Sequence, residues 1–181
     1  QTNSAATIAG LQGDDQVTVT GYATGTNASR TAYADNLVVT AVTGTLLSNY
    51  TVNTTHGSLE ITPYTGAVTI TGNSSTVTYN ANSRSVAGYT VSGLVGDDAS
   101  AGTLSGITAA GAVGTNAGSY ANAVSGSNGN YSNLIFVDGV LKINKADLTI
   151  TGANSTATYN GQAQTNSAAT IAGLQGDDQV T

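Results

Sequence analysis

Residues 139–152 read GVLKINKADLTITG, and they carry the pattern that decides the fold. Leu141 and Ile143 alternate with polar residues, and further along Leu148 and Ile150 alternate with threonines. Alternation of this kind is typical of β-strands with one buried face, because successive side chains point to opposite sides of a sheet. The stretch therefore predicts two strands joined by a short connection.

The same alternation recurs along the chain and is punctuated by turn dipeptides. These pair glycine with an aspartate or asparagine: Gly13-Asp14, Gly72-Asn73, Gly96-Asp97 and Asp138-Gly139. The Asp138-Gly139 pair separates IFV from VLKI, which predicts a two-residue β-hairpin. No segment sustains the 3.6-residue period of a helix, so the sequence predicts an all-β fold with little or no helix.

Internal repetition sets the organisation of the chain. The sequence QTNSAATIAGLQGDDQVT occurs twice, at 1–18 and at 164–181. Its core motif returns in between as GLVGDD at 93–98, and TITG occurs at both 69–72 and 149–152. The shift between matching motifs is about 80 residues, which predicts a repeat unit of that length.

The order of motifs predicts three parts. Residues 1–64 form a repeat module lacking its first strands, 65–145 form a complete module, and 146–181 form the first strands of the next module. The chain is therefore expected to be a window on a longer tandem array. Each module is predicted to be a small β-sandwich or a β-grasp-like sheet, with the modules in an elongated array. The competing solenoid fold would need a period of about 20–30 residues, which the sequence lacks.

The junction between modules is short. Only 144–147 separate the last predicted strand of one unit from the first strand of the next. So short a linker predicts a semi-rigid rod whose repeats depend mainly on themselves and their neighbours.

Composition excludes several classes of partner. The 181 residues include 4 Lys and Arg against 10 Asp and Glu, for a formal net charge of -6. Nucleic acid needs a basic face, and anionic lipid attracts clusters of Lys and Arg, so neither is expected as a partner. The chain has no Cys and therefore no disulfide framework. No apolar run approaches the roughly 18 residues of a membrane-spanning helix, so membrane insertion is not expected.

Tyrosines supply the bulky part of a small core. They recur at matching positions of the repeat: Tyr33 with Tyr120, Tyr50 with Tyr131, and Tyr79 with Tyr159. A tyrosine at a fixed position of each unit is expected to be a core or corner residue whose hydroxyl group is satisfied locally.

Paired carboxylates offer a candidate ion site. They follow a glycine in each GLxGDD motif: Asp14 and Asp15, Asp97 and Asp98, and Asp177 and Asp178. Calcium at the module junctions would need six to eight oxygen ligands, of which one pair supplies only a fraction. The simpler interpretation, which we prefer, is a turn in which the first Asp caps backbone N–H groups. We therefore assign no metal ligand and leave calcium at these pairs open.

No residue pattern indicates catalysis or a cofactor. His56 has no Cys or second His as a partner, so it is expected to be an exposed loop residue. Glu60 aligns with Lys142, which indicates a solvent-facing strand position rather than a catalytic acid. Side-chain amide cross-links through Lys142 or Lys145 are not expected either, because those positions become Glu60 and Pro63 in the other unit. We predict a protein that is not an enzyme.

Several motifs resemble one known family. TYNG at 158–161, GTNAGSY at 114–120 and GVLKINKADLTITG at 139–152 are similar to the MBG/YDG-type tandem repeat domains of filamentous-haemagglutinin-like bacterial adhesins. The resemblance implies secretion to a bacterial cell surface, of Gram-negative type, and a stalk or spacer role in an adhesin, extracellular fibre or biofilm matrix. The partners would be neighbouring modules.

Two alternatives remain open at this stage. Each module could bind matrix polysaccharide weakly and act by avidity. The chains could instead self-assemble by strand complementation, with the missing strands of one chain supplied by another.

Overall fold

The computed structural model describes residues 1–2 and 5–180. Over these residues the chain is nearly all-β, as predicted, with one helix of five residues and one 3-10 turn of three. It divides into two compact units, one made of Gln1–Ala67 with Ser127–Asn133, the other of Val68–Gly126 with Leu134–Thr181. No described helix has the length and apolar character needed to span a bilayer.

Unit 1 contains four short strands in two separate antiparallel pairs. These are β1 (Val17–Thr20), β2 (Tyr33–Ala34), β3 (Val38–Ala41) and β4 (Ser58–Leu59), with a 3-10 turn at Leu47–Asn49. Strand β1 pairs with β3, and β2 pairs with β4. The only buried apolar residues described in this unit are Ala23 and Tyr131, so its core is sparse.

Unit 2 holds the longer ladders. Its elements are β5 (Val68–Gly72), β6 (Ser75–Thr78), β7 (Arg84–Val86), β8 (Tyr89–Ser92), α1 (Asp97–Ala101), β9 (Ile107–Ala109), β10 (Ala112–Gly114), β11 (Gly118–Asn122), β12 (Val124–Gly126), β13 (Leu134–Val137), β14 (Gly139–Asn144), β15 (Thr149–Gly152) and β16 (Ala169–Ala172). Two three-stranded sheets have the orders β13-β5-β8 and β11-β14-β6, and the pairs β7–β10, β9–β12 and β15–β16 complete the unit.

The predicted hairpin at Asp138-Gly139 is wrong. Strand β13 pairs in parallel with β5, while β14 pairs in parallel with β6 and antiparallel with β11. The chain therefore changes sheets at Asp138-Gly139 instead of folding back on itself. The segment paired with it, β5–β6, changes sheets at the matching place, after Gly72. The side chain of Asp138 accepts a hydrogen bond from the Val124 N–H at 2.9 Å.

The core of unit 2 follows the alternation in β14 and β5, but the buried face expected for Leu148 and Ile150 is wrong, because Leu148 and all four residues of β15 are exposed. Leu141 and Ile143 of β14 are buried with Ala112, while the Lys142 between them is exposed. Val68 and Ile70 of β5 have no exposed surface. Burying side chains of this size stabilises the fold by about 1.5–3 kcal/mol each, so these two strands anchor the unit.

Candidate functional site

Two buried polar side chains occupy the same position of the repeat. In unit 1 the Asp35 carboxylate accepts hydrogen bonds from the N–H groups of Ala23, at 2.6 Å, and Gly57, at 3.1 Å. In unit 2 the Asn122 side chain, with no exposed surface, accepts from Gly111 N–H at 2.9 Å. Its amide group also donates to the Asn73 and Gly88 carbonyls at 3.1 and 3.0 Å. Each side chain thus replaces ladder bonds where strands end.

Neither Asp35 nor Asn122 was predicted to be buried. The signal was present, because YAD at 33–35 aligns with YAN at 120–122 just after the GTNA motif. A polar residue that follows a repeated turn and a strand is a candidate for burial. The amino-acid composition gives no such indication, because Asp35 is one of ten acidic residues in the chain.

The tyrosine preceding each of these residues forms a corner, as predicted. The Tyr33 hydroxyl donates to the Asn27 carbonyl and the Tyr120 hydroxyl donates to the Asn116 carbonyl, both at 2.9 Å. The Tyr120 ring lies against Gly114, where a Cβ atom would meet its Cδ2 at 2.7 Å. A glycine is therefore needed in this GTNA turn so that the ring can pack on the backbone.

The GLxGDD turns show a contact that the sequence did not predict. In both copies of AGLQGDD, the second aspartate accepts a hydrogen bond from a tyrosine hydroxyl. Tyr50 donates to Asp15, and Tyr79 donates to Asp178 at 2.9 Å. The carboxylate stabilises the protonated phenol, so the pKa of Tyr50 and the pKa of Tyr79 are both raised above the ordinary tyrosine value.

The third aspartate pair lies in a different local structure. Asp97 and Asp98 form the first turn of helix α1, after Gly96. Carboxylates at this end of a helix are favoured by the exposed N–H groups. Among the described residues, no three His, Cys, Asp or Glu side chains are grouped closely enough to hold one metal ion.

The remaining polar candidates lie at the surface. His56 is an exposed loop residue, as predicted, and its Nδ1 accepts a hydrogen bond from the Leu37 N–H at 3.2 Å. Glu60 and Lys142 are both exposed, which confirms a solvent-facing position. Lys145 is exposed as well, whereas a side-chain amide cross-link requires a buried lysine.

Few tyrosine rings face solvent. Of the nine tyrosines, only Tyr64 and Tyr159 are strongly exposed, at 40% and 90%. The Tyr64 ring packs edge-on against Tyr131, with centroids 5.9 Å apart. That leaves Tyr159 as the single fully presented ring, whereas its repeat counterpart Tyr79 packs against the core. One isolated ring is a poor platform for a sugar.

Unit 1 contains a groove of about 420 Å³, lined by aliphatic side chains together with polar ones, among them Asp35. Two segments that lack ladder partners within the described residues line it, 5–11 and 51–55. Val17 and Val19 of β1 and Val39 of β3 also contribute to its surface. A concavity bounded by segments without strand partners in the described part of the chain is of the kind that can receive a β-strand.

Comparison of the chain with models of known protein families, with curated proteins and with solved structures found no match.

Proposed function

We propose that this chain is a set of stalk or spacer repeats from a large secreted bacterial surface adhesin or extracellular fibre, with no enzymatic role. One observation carries the proposal: the same strand pair is built twice, in the same register. Ile70 lies opposite Val91 in β5–β8, and Ile150 lies opposite Ile171 in β15–β16. These positions are 80 residues apart in both strands, so the sequence repeat is also a structural repeat.

The complete repeat at 65–145 supports a modular array. Its first strands β5 and β6 pair in parallel with its last strands β13 and β14. The beginning and the end of the repeat are therefore held side by side, which suits a β-sandwich or β-grasp-like module that folds largely by itself. Modules closed in this way can be added in tandem at little cost to their neighbours.

Contacts after β14 support stiff junctions. The Asp178 carboxylate of the following GLQGDD turn accepts a hydrogen bond from Tyr79, and a Cβ atom at Gly176 would lie 2.5 Å from Ala81. A Cβ atom at Gly173 would collide with the Asp147 carbonyl. The Tyr79–Asp178 hydrogen bond and the Gly176–Ala81 contact hold the following turn against residues 79–81, which limits bending at this junction, as a load-transmitting spacer requires.

The surface chemistry fits an extracellular spacer. The described surface is rich in Thr, Ser and Asn, and only 8% of the chain is charged. Neighbouring modules of the same chain or fibre are the proposed partners. The polysaccharide-binding alternative has less support, because it needs several aromatic faces in solvent and Tyr159 is the one ring fully presented.

Small-angle X-ray scattering on recombinant chains of two, four and six in-phase repeats, with and without calcium, tests the proposal. We expect a maximum dimension that grows linearly with repeat number and does not change on adding calcium. A flexible particle, or one that straightens only with calcium, would contradict the stalk model. In the latter case the Asp pairs would become junction ligands.

A further inference from the structure

A loop of the complete repeat binds the repeat that precedes it. Residues 127–133 belong by sequence to the repeat at 65–145, yet they pack as part of unit 1. The Asn130 side chain accepts a hydrogen bond from the Ala28 N–H at 2.8 Å and donates one to the Asn27 side chain at 3.0 Å. These two bonds join two repeats that are consecutive in the chain.

The tyrosine next to Asn130 is part of the same contact. The Tyr131 side chain is 5% exposed, and its ring packs edge-on against Tyr64. The Tyr64 N–H donates to the Asn130 carbonyl at 2.8 Å, and the Ser132 N–H donates to the Tyr64 carbonyl at 3.0 Å. A buried aromatic side chain surrounded by hydrogen-bonded polar groups is typical of a specific docking contact. We call residues 130–131, and their counterparts 49–50, the Asn-Tyr loop.

Both halves of the contact are built in the same way in the two repeats. On the loop side, the N–H of Tyr131 donates to the carbonyl three residues earlier at 3.3 Å, and the N–H of Tyr50 does the same at 3.0 Å. On the receiving side, the GTNA turns at 25–28 and 114–117 each have a tyrosine hydroxyl bonded to their Asn carbonyl at 2.9 Å. The side chains and the backbone shape that the contact needs are therefore present in both repeats.

The AGLQGDD turn binds the tyrosine of an Asn-Tyr loop. In the first copy, the Tyr50 hydroxyl donates to the Asp15 carboxylate and accepts from the Gln12 N–H at 3.1 Å. The second copy has the same sequence and closes in the same way, with a bond of 3.1 Å from the Asp N–H to the Gln carbonyl in each copy. Gln175 and Asp178 therefore offer the same binding groups to the Asn-Tyr loop of their own repeat.

This second AGLQGDD turn lies beside the GTNA turn of the complete repeat. Asn116 and Ala117 border the same cavity, of about 350 Å³, as Gln175 and Asp178. A loop that reaches Asp178 with its tyrosine therefore brings its asparagine towards Asn116 and Ala117. A carboxylate has about four acceptor positions, so Asp178 can bind this tyrosine as well as Tyr79.

We propose that the GTNA turn of each repeat is the docking site for the Asn-Tyr loop of the repeat that follows it. The contact of Asn130 with Asn27 and Ala28 is one instance. The other joins Ala117 to the copy of Asn49 in the following repeat. The proposal rests on the tandem array of the proposed function and adds the partner at each junction. Successive repeats are then joined by side-chain contacts as well as by the chain itself, and two connections resist rotation better than one.

Hydrogen exchange at single backbone amides tests the first instance in the native chain. Asn130→Ala removes the acceptor of the Ala28 N–H, so the Ala28 amide should exchange about fivefold faster, as expected for the loss of one ordinary hydrogen bond. Asn49→Ala is the matched control, because it makes the same substitution at the equivalent position of the other repeat, and it should leave the Ala28 amide unchanged. Unchanged Ala28 exchange in Asn130→Ala, or an equal rise in both variants, would overturn the proposal.

A longer chain tests the second instance. A second copy of residues 19–64 is added at the end of the native chain, which continues the repeat in phase. The Ala117 amide should exchange about fivefold more slowly in the longer chain than in the native chain, because it gains an acceptor. Substituting alanine for the second copy of Asn49 should cancel this protection, whereas Asn49→Ala in the first copy should not. The two substitutions have the same local sequence and differ only in the repeat that carries them.

The outcomes separate the docking contact from the stalk. An Ala117 amide that is not protected in the longer chain, or an equal effect of the two substitutions, would overturn the docking proposal. The stalk would still stand in that case if the maximum dimension in scattering grows linearly with repeat number, since other junction contacts can provide stiffness. Flexible particles in scattering together with a protected Ala117 amide would contradict the stalk and support the docking contact.

Discussion

Asp35 carries a carboxylate where Asn122 carries an amide, and the backbone groups around each side chain explain the difference. The hydrogen bonds given above to the Asp35 side chain come from two N–H donors, which need acceptor oxygens. The Asn122 side chain faces one N–H donor and two carbonyl oxygens, which need an acceptor and two donors. The repeat therefore keeps the position polar and buried, and each unit selects the side chain with the matching hydrogen-bonding groups.

Asn122→Asp is predicted to destabilise unit 2. The substitution keeps the shape but turns a carboxylate toward the carbonyl oxygens of Asn73 and Gly88 in a site without exposed surface. We expect a loss of roughly 3 kcal/mol in the free energy of unfolding, measured by urea denaturation. Asn160→Asp adds the same charge at an exposed turn, where the Oδ1 atom already acts only as an acceptor. It should leave stability nearly unchanged, and equal losses in the two variants would contradict the argument.

The Tyr50–Asp15 hydrogen bond predicts an alkaline transition in the first GLQGDD turn. The folded state raises the pKa of Tyr50, so its contribution to stability is complete below the ordinary tyrosine pKa and is lost as the pH rises through the folded-state pKa. Asp15→Asn should lower the pKa of Tyr50 toward its ordinary value, as followed by NMR titration of ring-labelled tyrosine. Asp14→Asn removes the neighbouring, exposed carboxylate and should leave that pKa almost unchanged; a similar fall in both variants would contradict a specific bond.

At the scale of elements, the crossing of β5–β6 past β13–β14 depends on two glycines. A Cβ atom at Gly72 would lie 2.5 Å from the Gly139 nitrogen and 2.7 Å from the Asn122 carbonyl oxygen. Gly139 is equally confined by the carbonyls of Gly72 and Asn73. The two parallel strands can change sheets together only because their backbones touch at this point.

Gly72→Ala is therefore predicted to lower the melting temperature of unit 2, with a stability loss of roughly 1–3 kcal/mol from overpacking. Gly152 is its counterpart in the second TITG copy, and a Cβ atom there has nothing within 4 Å. Gly152→Ala should be neutral or slightly stabilising, because alanine has less backbone freedom to lose than glycine. Calorimetry on the two variants compares the same substitution at equivalent positions of the two TITG copies. Equal melting temperatures would refute a close backbone crossing.

Sequence patterns predicted the strands better than their partners. Alternation in GVLKIN gave the buried face of β14, since Leu141 and Ile143 are buried and Lys142 is exposed. The dipeptide Asp138-Gly139 suggested a hairpin because local turn chemistry does not reveal which distant strand lies closest. The ATIA segments make the same point, since identical residues form a strand at 169–172 and none at 6–9. Pairing is a long-range property, which short windows of sequence do not contain.

At the scale of the whole molecule, the groove of unit 1 is related by the sequence repeat to the position of β5 in unit 2. In unit 2, β5 with its TITG sequence lies between β8 and β13. Matching AGLQGDD with SGLVGDD places 6–9 on β8, and matching NYTVNTTHGSLEI with NYSNLIFVDGVLKI places 52–55 on β13. Unit 1 has both neighbours of that position and an open groove between them. A TITG strand attached ahead of residue 1 would fill this groove from within the same chain.

A circularly permuted chain tests that geometry. Residues 146–163 joined ahead of 1–145 recreate the native junction, because residue 163 is already followed by a copy of 1–18. We predict that 148–152 then occupies the groove, that the amides of 6–9 become protected from hydrogen exchange, and that unit 1 gains about 1.5–3 kcal/mol for each of Leu148 and Ile150. Ile150→Asp in the permuted chain should cancel both effects. Rapid exchange at 6–9 in the unsubstituted permuted chain would show that the groove is not the place of the TITG strand.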